Sequence, residues 1–205
     1  LIIITYYSVI LLFIALNHGR KRRLSIILLS FLIIILVKPR NINLNVTFLD
    51  MGQGDGIFME TRSRNTYLID GGSSDVKNVG QYRLVPFLKA SGVWELDYAI
   101  VTHTDADHIS GLKELINAME DASRLNESTY KGNIVIRHLI LPNTSMKDDS
   151  YISLVTLAEL KGIEVLYISK GDVIRDGEIT ITCLHPSALY ATTSRNAYST
   201  VLSVS

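Results

Sequence analysis

The segment that most constrains the fold is an apolar strand that runs directly into a cluster of polar side chains. Residues 96–102 read LDYAIVT, which indicates a buried strand, and residues 103–108 read HTDADH. After the cluster, apolar residues recur at helical spacing and predict a helix that starts near Ser110 or Gly111. A strand, a short loop and a helix in this order hold the loop rigidly and favour a layered domain.

Strands and helices alternate along the rest of the chain, from residue 46 onward. This alternation predicts an α/β domain in which helices cover the faces of a sheet. The pair Asp176-Gly177, flanked by alternating residues, predicts a hairpin. The remaining strands are predicted at 46–50, 57–61, 65–70, 134–142, 163–169 and 199–204, and helices at 84–90 and 150–161.

The apolar residues before the domain form two uncharged runs, at residues 1–16 and 24–37. A basic loop at residues 17–23 joins them. A bilayer core needs about 20 apolar residues, and both runs are somewhat shorter. We predict two transmembrane helices within 1–37, with a buried helical hairpin as the alternative.

The basic loop is expected to stay in the cytoplasm, which places the rest of the chain on the other side of a cell membrane. Residues 38–45 then form a linker, and residues 46–205 form an extracytoplasmic domain.

Composition excludes two broad classes of function. The only cysteine, Cys183, rules out a disulfide framework within the chain and a cysteine-rich zinc module. The formal net charge of zero means that no overall basic field indicates a nucleic-acid partner.

The four ligand-type residues of the cluster are His103, Asp105, Asp107 and His108. Imidazole nitrogens and carboxylate oxygens suit zinc, manganese or iron. Four donors on one short turn cannot all reach one ion, so two pairs that serve two adjacent ions are expected. The alternative is that the aspartates only favour the start of the helix.

The sequence HTDADH resembles the H-x-H-x-D-H signature of the metallo-β-lactamase superfamily, with Asp105 in place of the second histidine. The surrounding blocks resemble those of the ComEC family of DNA-uptake proteins, over nearly all of residues 46–205. They are FLDMGQGDG, TYLIDGG, LVPFLKASGVWELDY and VTHTDADHISGL, followed by the later blocks LHP and NAYSTVLSV.

This resemblance implies a four-layer αββα sandwich with two divalent metal ions, zinc or manganese, between its sheets. His103 and Asp105 would bind one ion, and Asp107 and His108 the other. The resemblance also makes Asp107 a catalytic residue, together with Asp70, which would support the site from behind.

Further site residues follow from the same resemblance. Gln53 and Asp55, in the glycine-rich loop, either line the site or serve turn formation. His185 is either an extra ligand or a structural residue, and Asn196 lies near the position of a further ligand. The family continues with a strand that ends in a Gly-Asp pair and with a later histidine block. We expect this C-terminal part of the domain beyond Ser205.

The function implied is that of a membrane-tethered, metal-dependent hydrolase. It would be a nuclease that degrades the non-transported DNA strand during uptake, with single-stranded or incoming duplex DNA, the membrane and other uptake machinery as partners. Two alternatives remain open. One is a catalytically inert truncated or DNA-guiding module, and the other is a metallo-hydrolase of a small substrate other than nucleic acid.

Overall fold

The computed structural model describes residues 44–119, 133–188 and 190–205. These residues belong to the unit formed by Ile42–Ser205. The predicted membrane helices within 1–37 lie outside the described residues. None of the helices in the described ranges is long and apolar enough to cross a membrane.

The larger of two sheets has six strands that follow one another in chain order. The first three strands pair antiparallel, and the third to the sixth pair parallel. This order places the ends of successive parallel strands side by side. The strands are β1 (Leu44–Phe48), β2 (Ile57–Thr61), β3 (Thr66–Ile69), β4 (Glu95–Ile100), β5 (Val135–Pro142) and β6 (Glu164–Ile168).

A helix lies between each pair of successive parallel strands. The first, α1 (Val85–Ala90), continues from a π-helical turn and carries Pro86 in its first turn, where the missing N–H is not needed. The others are α2 (Ala106–Ala118) and α3 (Asp149–Leu160). Right-handed crossovers in this strand order place all three helices on one face of the sheet.

The smaller sheet covers the opposite face. It contains β7 (Val173–Asp176), β8 (Ile179–His185) and β9 (Val201–Val204), paired antiparallel in chain order. The predicted hairpin is present, because Gly177 takes the positive φ that the turn between β7 and β8 requires. A short 3₁₀ turn, Asn196–Tyr198, leads into β9.

Two sets of side chains across the large sheet build two cores. One set packs against the helices, and the other packs against Ile181 and Cys183 of the small sheet. The helix-side set is one row, Phe58, Leu68, Ala99 and Leu139. The sheet side consists of two cross-strand pairs, Met59 with Tyr67 and Ile100 with Ile140.

The described residues therefore form three layers: helices, large sheet and small sheet. The α/β architecture is as expected from the sequence. All three described α-helices bury side chains in the core on the helix side of the large sheet. The fourth layer of the expected αββα sandwich, a helical layer outside the small sheet, is not formed by the described residues.

The start of α2 differs from the sequence-based expectation. The helix begins at Ala106 rather than near Ser110 or Gly111, after Asp105 in an extended N-cap conformation. The prediction was wrong because it relied on the spacing of apolar residues. The first buried apolar residue of the helix, Ile109, comes about one turn after the helix starts, so the polar first turn was missed. Consequently Asp107 and His108 lie on the first helical turn, where neighbouring loops can reach them.

Asp176 joins the two sheets through buried hydrogen bonds. Its side chain is almost fully buried, and Oδ2 accepts hydrogen bonds from the Thr61 hydroxyl (2.6 Å) and the Tyr67 hydroxyl (3.1 Å). Burial opposes the charged form of Asp176, but the hydrogen bonds outweigh it and lower the pKa of the carboxyl below its usual value. The carboxylate therefore stabilises the contact between the sheets while it remains ionised.

We expect Asp176→Asn to lower the free energy of unfolding at pH 7 by about 1–3 kcal/mol, because it weakens hydrogen bonds to a buried charged group. The folded pKa is depressed, so the wild-type advantage is full above about pH 4 and is lost as pH falls through the folded pKa. Denaturant unfolding at several pH values measures both effects. Glu178→Gln, an exposed control on the same hairpin, should change stability by less than about 0.5 kcal/mol. Equal stability of Asp176→Asn and wild type at pH 7 would contradict this account.

Candidate metal centre

The site lies where the carboxyl ends of β3 and β4 meet. Asp70 directly follows β3, and Thr102 and His103 follow β4. The Thr102 backbone N–H donates to Asp70 Oδ1 (2.8 Å), and the Thr102 hydroxyl donates to Asp70 Oδ2 (2.7 Å). Because the two strands are parallel neighbours, their carboxyl ends share one edge of the sheet, and Asp70 ties them together there.

Glycines allow two loops to press against the first turn of α2. A Cβ on Gly72 would lie 2.5 Å from the Ala106 carbonyl oxygen, and one on Gly54 would lie 2.6 Å from that of Asp107. The Asp55 backbone N–H donates to the Asp107 carbonyl (3.2 Å). This close approach brings Asp55, from the loop between β1 and β2, to the site.

His108 is held through its Nδ1 atom. Nδ1 lies 2.8 Å from Oδ2 of Asp70, a buried carboxylate that can only accept, so Nδ1 carries the proton. In the neutral form of the ring, Nε2 then carries the lone pair, and it lies 3.7 Å from Oδ2 of Asp107 and 3.7 Å from Oδ2 of Asp55. Burial opposes the charged form of His108, but the hydrogen bond to Asp70 and the nearby carboxylates prevail and raise its pKa.

His103 is held in the same way by hydroxyl groups. Its Nδ1 lies 3.1 Å from the Thr102 hydroxyl and 3.2 Å from the Ser199 hydroxyl. The Thr102 hydroxyl proton is already donated to Asp70, so the oxygen accepts from Nδ1 of His103. In this tautomer of the neutral ring, Nε2 of His103 carries the lone pair, and it lies 3.5 Å from Oδ2 of Asp105. Burial, followed by the neighbouring His108, lowers the pKa of His103.

These donors suit a divalent metal by their chemistry. The two imidazole rings lie 3.9 Å apart between centroids, and the Nε2 atom of each lies 3.5–3.7 Å from carboxylate oxygens. Metal-binding histidines usually donate their other ring N–H to a fixed partner, as both do here. As the side chains stand, no group of three or more His, Cys, Asp or Glu residues within the described ranges is arranged to hold an ion.

Arg195 is a site residue that the sequence did not reveal. Its Nη1 donates to Asp105 Oδ1 (2.8 Å), and its Nε donates to Asp148. Arg195 and Ser199 both reach the site from the segment before β9. The block NAYSTVLSV begins one residue after Arg195 and contains Ser199, but nothing in the sequence shows which side chains of this segment turn toward the cluster.

Three further predicted positions lie outside the histidine–carboxylate cluster. Nε2 of His185 donates to the Ala197 carbonyl (2.8 Å) and so stabilises the turn before β9, as the structural alternative for this residue predicts. Asn196 is exposed at the start of that turn. Gln53 is also exposed, and its backbone holds the glycine-rich loop through Asp75, as turn chemistry requires.

Comparison with known proteins relates part of the chain to a superfamily. Residues 49–130, less than half of the chain, match the model of the Metallo-beta-lactamase superfamily. That segment is therefore similar to a superfamily whose members typically bind divalent metals, often zinc.

A curated relative matches beyond that segment. The chain is 26% identical over 156 residues to ComE operon protein 3 of Bacillus subtilis (strain 168). The match covers 70% of this chain and 18% of that protein, so the chain spans less than one fifth of the relative's length.

Solved structures match at lower sequence identity. The metallo-beta-lactamase fold protein YhfI from Bacillus subtilis matches with 18% identity and a TM-score of 0.46, over 75% of this chain and 51% of that one. A metallo-beta-lactamase from Cronobacter sakazakii matches with 14% identity and a TM-score of 0.47, over 84% of this chain and 61% of that one.

The role of Asp70 can be tested by Asp70→Asn, which keeps the shape and the left-handed backbone that this position adopts. The Thr102 backbone N–H can only donate, so the amide oxygen must face it and the amide NH₂ must face His108. We expect His108 to move its proton from Nδ1 to Nε2, a change that ¹⁵N NMR of the imidazole detects. An unchanged His108 tautomer in a folded variant would show that Asp70 does not set it.

Proposed function

We propose that this domain is a membrane-tethered, metal-dependent hydrolase that cleaves phosphodiester bonds in DNA. Its role would be that of a nuclease that degrades the non-transported strand during DNA uptake. The observation that supports it best is the pair of histidines whose Nδ1 atoms are held while both Nε2 atoms face carboxylates.

The proposed ligands follow these contacts. His103 and Asp105 would hold one divalent ion, and Asp107 and His108 a second. Asp55 adds a carboxylate on the His108 side. Zinc and manganese both suit this mixture of imidazole and carboxylate donors.

A bound pair of such ions supplies an activated water and stabilises developing negative charge on phosphate oxygens. The protein's own residues prepare for this. Asp70 fixes the proton of His108 on Nδ1, and the hydroxyls of Thr102 and Ser199 hold His103. Burial and His108 lower the pKa of His103, which favours the neutral form that a metal ligand needs.

DNA is proposed as the substrate from the similarity to ComE operon protein 3. Other components of an uptake machinery are proposed as partners on the same ground. The formal net charge of zero offers no overall attraction to a polyanion, so contact with DNA would depend on the site itself and on local cations.

A second candidate is a non-catalytic module that guides DNA. The observations in its favour are the Arg195 guanidinium on Asp105 and the lack, within the described ranges, of a group of three ligands arranged for an ion. In that case the cluster would be kept together by ion pairs and hydrogen bonds without metal.

Cleavage of labelled single-stranded and duplex DNA with added manganese tests the nuclease proposal. We expect Asp107→Asn to reduce the rate by about 100-fold or more, since loss of even an outer contact at such sites costs about 10–100-fold. Asp149→Asn is the matched control, because Asp149 is an exposed aspartate on the first turn of α3. Its rate should stay at the wild-type level.

The other outcomes separate the alternatives. Equal cleavage by Asp107→Asn and wild type would refute the assigned site. DNA binding without cleavage, with manganese bound, would favour the guiding module. Hydrolysis of small esters or lactams without DNA cleavage would favour a small-substrate hydrolase.

Membrane attachment is proposed from the two apolar runs within residues 1–37 and the basic loop at 17–23. The domain would then lie outside the cytoplasm.

We expect alkaline phosphatase fused after residue 45 to be active in bacterial cells, and the same reporter placed within 17–23 to be inactive, because this enzyme needs an oxidising compartment. Recovery of the first fusion in the soluble cytoplasmic fraction would overturn this topology.

A further inference from the structure

Arg195 occupies a position between two carboxylates at the edge of the candidate site. Its Nη1 donates to Oδ1 of Asp105, while its Nε donates to Oδ2 of Asp148. About a third of its side chain is exposed, so the guanidinium forms part of the site wall. A guanidinium suits this position because it is a rigid plane with donors along several edges, whereas an ammonium is a single point of charge.

Asp148 is itself firmly held. Its Oδ1 accepts the Tyr151 backbone N–H (2.9 Å) and caps α3, and it also lies within reach of the Thr104 hydroxyl (3.5 Å). Thr104 is buried and shares a hydrogen bond of 3.0 Å with the Tyr198 hydroxyl. Because Asp148 is fixed by a helix end, the end of Arg195 that contacts it is fixed as well.

This arrangement gives the two oxygens of Asp105 different partners. Oδ1 is paired with Arg195, and Oδ2 lies 3.5 Å from Nε2 of His103. We propose that Arg195 is a positioning residue for Asp105, which holds Oδ1 and leaves only Oδ2 to act in the site. The inference rests on the proposed metal site. In this arrangement Asp105 would bind the metal through one oxygen, Oδ2. Arg195, in the segment before β9, would set the orientation of that carboxylate.

The decisive variant is Arg195→Lys, which keeps the positive charge but cannot bridge both carboxylates. In metal-free protein, NMR signals of the His103 imidazole should shift, because Asp105 Oδ2 is no longer held opposite Nε2. Signals of His138 on β5 should stay in place. Affinity for Mn²⁺, measured by electron paramagnetic resonance, should fall about 10-fold, within the range for loss of a ligand's supporting contact. Arg175→Lys, at an exposed arginine on β7, is the matched control and should change neither measurement.

A double-mutant cycle with Asp105→Asn distinguishes positioning from a general effect on the fold. If Arg195 acts through Asp105, Arg195→Lys should cost little further Mn²⁺ affinity once Asp105 is changed. Losses that multiply would overturn the inference, as would His103 signals and Mn²⁺ affinity that match wild type in Arg195→Lys.

Failure of the proposed function would look different, because wild-type protein would then bind no Mn²⁺ while the metal-free His103 signals still report on Arg195.

If Arg195→Lys does not fold, Asp148→Asn replaces it. Asp148→Asn loosens the other end of the guanidinium and should shift the His103 signals in the same direction by a smaller amount. Unshifted signals in that variant would also overturn the inference.

Discussion

The hydrogen bonds of Asp70 are the interaction on which the rest of the site depends. One buried carboxylate, at the end of β3, binds the backbone and hydroxyl of Thr102 after β4 and the imidazole of His108 on α2. It thereby joins three consecutive parts of the fold at one point. An aspartate can do this because it has two acceptor oxygens, each able to take more than one donor.

The same contacts determine the chemistry of both histidines. Asp70 takes the Thr102 hydroxyl proton, so that hydroxyl can only accept from His103, and Asp70 also takes the Nδ1 proton of His108. In the neutral form of each ring, the Nε2 lone pair therefore faces the carboxylates. Burial lowers the pKa of His103, whereas the hydrogen bond to Asp70 and the nearby carboxylates raise the pKa of His108, so the pKa values of the two neighbouring rings shift in opposite directions.

Most strands and helices of the fold could be predicted from the sequence, because they depend on local patterns of residues. The strand that ends before HTDADH, the hairpin at Gly177 and the helices that alternate with strands all have short-range signals. The start of α2 was misplaced because its first turn is polar, and apolar spacing identifies only the buried face of a helix. The outer helical layer of the expected sandwich is not formed by the described residues, in which every α-helix packs on the same side of the large sheet.

The sequence alone determined the alternation of strands and helices and the cluster of two histidines and two aspartates, since both follow from local patterns of residues. Only the tertiary structure decided which atoms of that cluster are free and which are held. Ser199 and Arg195 reach His103 and Asp105 across separations of 96 and 90 residues. Such contacts have no local signal, because they arise where the small sheet folds back over the carboxyl ends of the large one.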